Sequence, residues 1–232
     1  MQYIIIAILS LWISPAKQIS LDGAWRLRHS ETEETVKIYQ DGYFMFARYD
    51  KVQKKFVHAG GGTYTLKGKK YQEKIEYFSA DSTKVGSAWE SKISGRGEGK
   101  LIFRLKKEEI WEKIAEENNS LTGNWRITAR ADASGKMNAM QRGARKTLKI
   151  LSGSRFQWAA INPETKQFSG TGGGTYTAAN GKYTENIEFF SRDNTRVGAS
   201  LSFDFEVKAN DWLHSGLSSK GDKISEVWSR EK

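Results

Sequence analysis

The chain has no cysteine, which excludes disulfides, thiolate nucleophiles, thiolate metal sites and lipid attachment through a cysteine at a processing site. Only two prolines stand against 22 glycines, a balance that excludes proline-stiffened linkers and fits a chain of many tight turns. The three histidines, His29, His58 and His214, show no metal spacing, no pairing and no counterpart between the two halves of the chain. No metal centre and no cofactor are therefore expected, and each histidine reads as a surface or internally satisfied side chain. No apolar run reaches the roughly 20 residues of a membrane-crossing helix. The longest, Ile4 to Ile13, leads into Ser14-Pro15-Ala16 before Lys17. Small residues three and one positions before Lys17 give residues 1–16 the layout of a secretion signal, although no Lys or Arg precedes the apolar run. A secreted or periplasmic protein without a transmembrane span is expected.

What is present is enough for two cores. The 232 residues are 38% hydrophobic and 12% aromatic, with eight tryptophans, whereas single domains usually run to roughly 100–150 residues and disordered chains are poor in aromatics. The chain also repeats itself. Leu21-Asp22-Gly23-Ala24-Trp25-Arg26 returns as Leu121-Thr122-Gly123-Asn124-Trp125-Arg126. Gly60-Gly61-Gly62-Thr63-Tyr64-Thr65 returns as Gly172-Gly173-Gly174-Thr175-Tyr176-Thr177, and Tyr71 to Ser79 returns as Tyr183 to Ser191. The offset grows from 100 to 112 between the first motif and the others, which places about twelve extra residues of the second copy in 131–144. The expected domains are 17–118 and 119–232.

Turn signals at 152–154, 162–163, 180–181, 192–194, 210–211 and 220–222 divide the second copy into segments of strand length. Counting Asn124–Ala129, Lys146–Leu151, Arg155–Ile161, Gln167–Ala178, Lys182–Phe190, Arg196–Lys208, Asp211–Ser218 and Ile224–Ser229 predicts eight strands. Copy one divides the same way. Short strands joined by tight turns predict an all-β protein of two tandem antiparallel up-and-down barrels of about eight strands each. The glycine run precedes Thr-Tyr-Thr rather than a helix start, so it reads as a bulge or bend within a long strand and not as a phosphate loop.

A Gly-x-Trp opening, about eight antiparallel strands and a last strand with a basic residue resemble the lipocalin and fatty-acid-binding superfamily of calycin barrels. Joined to the Gly-Gly-Gly-Thr-Tyr-Thr and Tyr-x-Glu-x-Ile-Glu motifs, the pattern is similar to a lipocalin-like family of bacterial secreted proteins. The resemblance implies that each Trp plugs the closed end of its barrel under a cation from the last strand, Trp25 under Lys113 and Trp125 under Arg230. It also implies that the loop after the first strand crosses the open mouth. Met137 and Met140, in the extra segment, are then candidate lid residues, against the alternative of an indifferent surface insertion.

Strand alternation puts Tyr183, Glu185, Ile187 and Phe189 on one face and Glu188 on the other, as it does Tyr71, Glu73, Ile75 and Tyr77 against Glu76. A carboxylate among aromatics on the more apolar face is expected to point inward, and a buried carboxylate needs a partner. Tyr64 and Tyr176, on the preceding strand, are the expected partners. Glu76 and Glu188 read as solvated. The candidate ligand-binding set is Glu185, Tyr176, Tyr183, Glu73, Tyr64 and Tyr71.

The net charge is +10, with the densest basic stretch at Arg142, Arg145, Lys146 and Lys149. Charge of this kind favours an anionic surface lipid or glycan as partner over specific nucleic-acid recognition. The leading reading is a binding protein for a small hydrophobic or amphipathic ligand, chiefly in copy two. Its rivals are a cell-surface interaction module with filled barrels and an acid–base enzyme using Glu185 and Tyr176. No catalytic residue is assigned.

Overall fold

The computed structural model describes residues 19–97, 99–105, 107–114 and 117–231; the expected signal segment 1–16 lies outside them. Eight antiparallel strands form the first barrel: β1 (Gly23–Arg28), β2 (Glu33–Gln40), β3 (Tyr43–Asp50), β4 (Lys55–Lys67), β5 (Lys70–Phe78), β6 (Ala88–Gly95), β7 (Lys100–Arg104) and β8 (Glu108–Ile114). The barrel closes where β1 pairs with β8, with Trp25 opposite Lys113. The second copy runs through β9 (Gly123–Ala131), β10 (Met137–Ala139), β11 (Lys146–Ser152), β12 (Arg155–Asn162), β13 (Gln167–Ala179), β14 (Lys182–Phe190), β15 (Ser200–Lys208), β16 (Asp211–Leu217) and β17 (Lys223–Arg230). It closes by pairing β9 with β17, leaving β10 as a short addition to the outer end of β9. Among the described residues no helix is long and apolar enough to cross a membrane.

Two local details differ from the sequence reading. The strand expected from Arg196 begins at Ser200, because Asn194–Arg196 forms a 3₁₀ turn capped by the Asp193 carboxylate, as Ser82–Lys84 is capped by Asp81. The extra segment also carries a strand of its own: Met137–Ala139 pairs with Ala129–Ala131.

The glycine runs are bulge sites. Register shifts between Gly61 and Gly62 against β5, and between Gly173 and Gly174 against β14. A Cβ on Gly62 or Gly174 would fall inside the carbonyl of Lys74 or Asn186, so only glycine permits this approach. The unpaired residues are Glu76 and Glu188, and one extra residue reverses the alternation beyond it. Tyr77 and Phe189, expected on the inward face with Glu73 and Glu185, therefore turn outward, while Phe78 and Phe190 turn in to pack against the two barrel interiors.

Those outward residues belong to a third core, shared between the barrels. It joins Val36, Ile38, Tyr43, Met45, Tyr49 and Tyr77 of the first barrel to Leu148, Ile150, Ala159, Ile161 and Phe189 of the second. Phe189 stacks on Tyr49 with ring centroids 4.8 Å apart. β2 lies along β11, β4 meets β14 and β5 meets β13. Equivalent elements thus face each other as across a two-fold axis, the arrangement of a symmetric dimer carried within one chain.

The bulge carboxylates are half-buried and paired in this seam, not solvated as the alternation suggested. Glu76 accepts from the Tyr43 hydroxyl (2.6 Å) and pairs with Lys146 of the second barrel (2.8 Å). Glu188 accepts from Tyr49 of the first barrel (2.8 Å) and from Arg155 (2.6 Å). Burial, and then the neighbouring carboxylate, pushes both tyrosine hydroxyls well above the ordinary range, so both remain donors.

Candidate functional site

Each barrel encloses a cavity, about 240 Å³ in the first and about 330 Å³ in the second. Why a lysine reaches each interior follows from the seam. On β2 the apolar Val36 and Ile38 face the other barrel, so alternation turns Thr35, Lys37 and Tyr39 inward; on β11, Leu148 and Ile150 do the same to Thr147 and Lys149. Lys37 and Lys149 are 7% and 5% exposed, deep enough that each ammonium must be paired.

The partner is the inward glutamate of the Tyr-x-Glu strand. Lys37 donates to Glu73 Oε1, as does the Tyr71 hydroxyl (2.5 Å), and Tyr39 completes the group 2.9 Å from Tyr71. In the second barrel, Lys149 Nζ lies 2.7 Å and the Tyr183 hydroxyl 2.8 Å from Glu185 Oε1. Burial pushes the hydroxyls of Tyr39, Tyr71 and Tyr183 well above their usual range, which keeps them protonated donors. Aromatic faces surround each ammonium. Lys37 Nζ lies 4.6 Å from the Phe44 centroid, with Tyr71, Phe103 and Trp111 within 6 Å; Lys149 Nζ lies 4.9 Å from Trp228 and 5.1 Å from Trp212.

Tyr64 and Tyr176, the expected partners of the glutamates, are not. They sit opposite Glu73 and Glu185 in register, but a phenol carries its hydroxyl well past a cross-strand neighbour's carboxylate. Tyr64 donates to Asp22 (3.1 Å), and the Tyr176 hydroxyl meets Asn119 (2.8 Å), both near the closed end. There Trp25 and Trp125 donate to the carbonyls of Leu21 and Leu121, each at 2.7 Å. Arg230 Cζ lies 3.9 Å above the Trp125 ring; Lys113 Nζ lies 5.6 Å from Trp25.

The mouths differ. In the first barrel His29, Arg48 and His58 line the cavity with Trp89, Phe103 and Trp111. Burial, with Arg48 adding to it, pulls both histidines below their ordinary value. The second cavity is lined by Trp158, Phe190, Phe203 and Trp228, with Arg130, His214 and Glu226. Met137 and Met140 line neither and are about half exposed. The pairing of β10 with β9 holds Met137 on the outer face, beside Leu213 and Val227, so the lid expectation is not met.

The basic stretch does not form one surface either. Lys149 is inside, Lys146 is in the seam, and Arg142 pairs with Glu231, leaving Arg145 exposed. Three further features of the sites were given no binding role from the sequence. Two were legible as repeats: the apolar-Lys-Ile tripeptides Val36-Lys37-Ile38 and Leu148-Lys149-Ile150, and the closing Glu109-Ile110-Trp111 and Glu226-Val227-Trp228, in which each indole N–H lies 3.0 Å from its glutamate. The third, His214, has no counterpart in the first copy.

Fold and site together define a tandem pair of cavity-bearing antiparallel β-barrels fused through a common core. A family model described as a domain of unknown function, DUF4488, matches residues 120–232. The second barrel is thus similar to that family over its whole strand set, from just before β9 to the end of the chain. No curated protein matches the chain.

Proposed function

We propose that the protein is a lipocalin-like binding protein that takes a small hydrophobic or amphipathic ligand into its barrels, chiefly the second. The observation that carries this reading is the cavity of about 330 Å³ in the second barrel, walled by aromatic rings around a charge-balanced Lys149–Glu185 pair. Ligand pockets run from roughly 300 to 1,000 Å³, so this volume suits a ring-sized compound better than a long acyl chain. Tryptophans sealing the opposite end, beneath Arg230 and Lys113, agree with a barrel open at one end only. An interior of filled barrels, as an interaction module requires, fits these cavities less well. An acid–base role for Glu185 fits poorly too, since its Oε1 already receives Lys149 and Tyr183. Export through residues 1–16 is part of the proposal, and N-terminal sequencing of the protein from the medium or periplasm should find a chain beginning at Lys17. Native mass spectrometry of gently purified protein tests the binding: a retained small-molecule mass supports it. Failure to retain or take up any ring compound sinks it.

A further inference from the structure

His214 lies on β16 between Trp212 and Gly216, faces the second cavity and is 3% exposed. Its Nδ1 is 3.3 Å from Glu226 Oε2. Glu226 also accepts from the Trp228 indole (3.0 Å) and from Arg130 (2.6 Å). Burial alone would raise the Glu226 carboxyl, but the His214 hydrogen bond, the charge His214 carries in acid, and the charges of Arg130 and Lys149 outweigh it and hold the group at about 2. Glu226 is therefore a carboxylate and can only accept, so Nδ1 carries the proton. Burial pulls His214 below its ordinary value and keeps the ring neutral. The other nitrogen, Nε2, then presents a lone pair, and among the described residues it has no hydrogen-bond partner.

An unpaired buried acceptor costs about 1–3 kcal/mol, and native interiors rarely leave one without a use. The first barrel leaves none at this position. Phe103 pairs with Ile93 as His214 pairs with Phe205, so the equivalent site holds a hydrocarbon ring although the Glu-x-Trp hook beside it is kept. Charges around His214 cancel in pairs, Lys149 with Glu185 and Arg130 with Glu226, so a charged ligand finds no free counter-ion there.

We propose that the second barrel selects a neutral, ring-sized ligand bearing a hydroxyl or N–H donor, which it binds through His214 Nε2. This rests on the ligand-cavity reading and adds a chemical class to it. The probes are 2-naphthol and naphthalene, alike in shape and differing in one hydroxyl. Tryptophan fluorescence titration should show 2-naphthol binding up to about tenfold tighter, the yield of one net hydrogen bond. His214→Phe, which installs the residue the first barrel already accommodates, should bring the two affinities together. In histidine-¹⁵N-labelled wild-type protein, with only three histidines to resolve, the His214 Nε2 signal should have unprotonated character and move with 2-naphthol but not with naphthalene. This readout needs no variant to fold. Equal affinities with an unmoved His214 signal overturn the hydrogen bond and leave the ligand reading standing. Absence of binding by both compounds overturns both.

Discussion

The two barrels share an interior plan and differ in what they add to it. Both have a Trp under a cation at one end, a Lys–Glu–Tyr group in the middle and a Glu-x-Trp hook in the last strand. The first then fills the position beside its hook with Phe103 and lines its mouth with His29, Arg48 and His58. The second places His214 there and Ala160 where Arg48 stands, which leaves a larger cavity with a bare acceptor. A duplicated unit can hold its packing residues constant while a few inward positions change the chemistry of the space they enclose.

The buried ion pairs test the shared part of that comparison. Glu185→Gln leaves Lys149 without a counter-charge, and Glu73→Gln does the same to Lys37; each should cost about 3–5 kcal/mol in urea unfolding, while the double change Lys149→Met with Glu185→Leu recovers most of the loss. Equal losses in the two barrels would sharpen the parallel, and a loss in only one would break it.

A smaller effect separates them by pH. With its carboxyl at about 2, Glu226 lies below the ordinary 4.5, so its contribution is complete above about 4.5 and disappears as pH falls toward 2, on the order of 3 kcal/mol in all. His214, lowered by burial, acts in the same direction: its neutral form stabilises the fold above about 6.5, and that support is lost at lower pH. Glu226→Gln should flatten the lower part of the acid limb in chemical denaturation, and an unchanged limb would refute the assignment.

The seam comes next. Tyr49→Phe removes the hydroxyl that donates to Glu188 across the barrel boundary and should cost about 1–2 kcal/mol. Because the core is common, both barrels should still unfold in one transition followed by tryptophan fluorescence. Least of all, Met137→Ala on the outer face should change stability by under about 0.5 kcal/mol and leave ligand affinity unaltered. A marked loss of affinity would restore the lid.

The chain's own pattern determined much of this. Repeated Gly-x-Trp openings, turn signals and strand-length segments fixed two eight-stranded antiparallel barrels, and Tyr-x-Glu placed Glu73 and Glu185 inside, because these features depend on neighbours within a strand or turn. What lay beyond the pattern depended on contacts made across the fold. Alternation defines two faces but not which one is covered, so Lys149 looked like surface charge until the other barrel claimed Leu148 and Ile150. A single bulge residue, enforced by Gly174 against the Asn186 carbonyl, reversed the faces after Ile187 and sent Glu188 and Phe189 into the seam. His214 was one histidine among three in the sequence. Only closure of β16 against β17 set Nδ1 on Glu226 and left Nε2 buried without a partner, since a hydrogen bond and its missing counterpart exist only once distant strands are side by side.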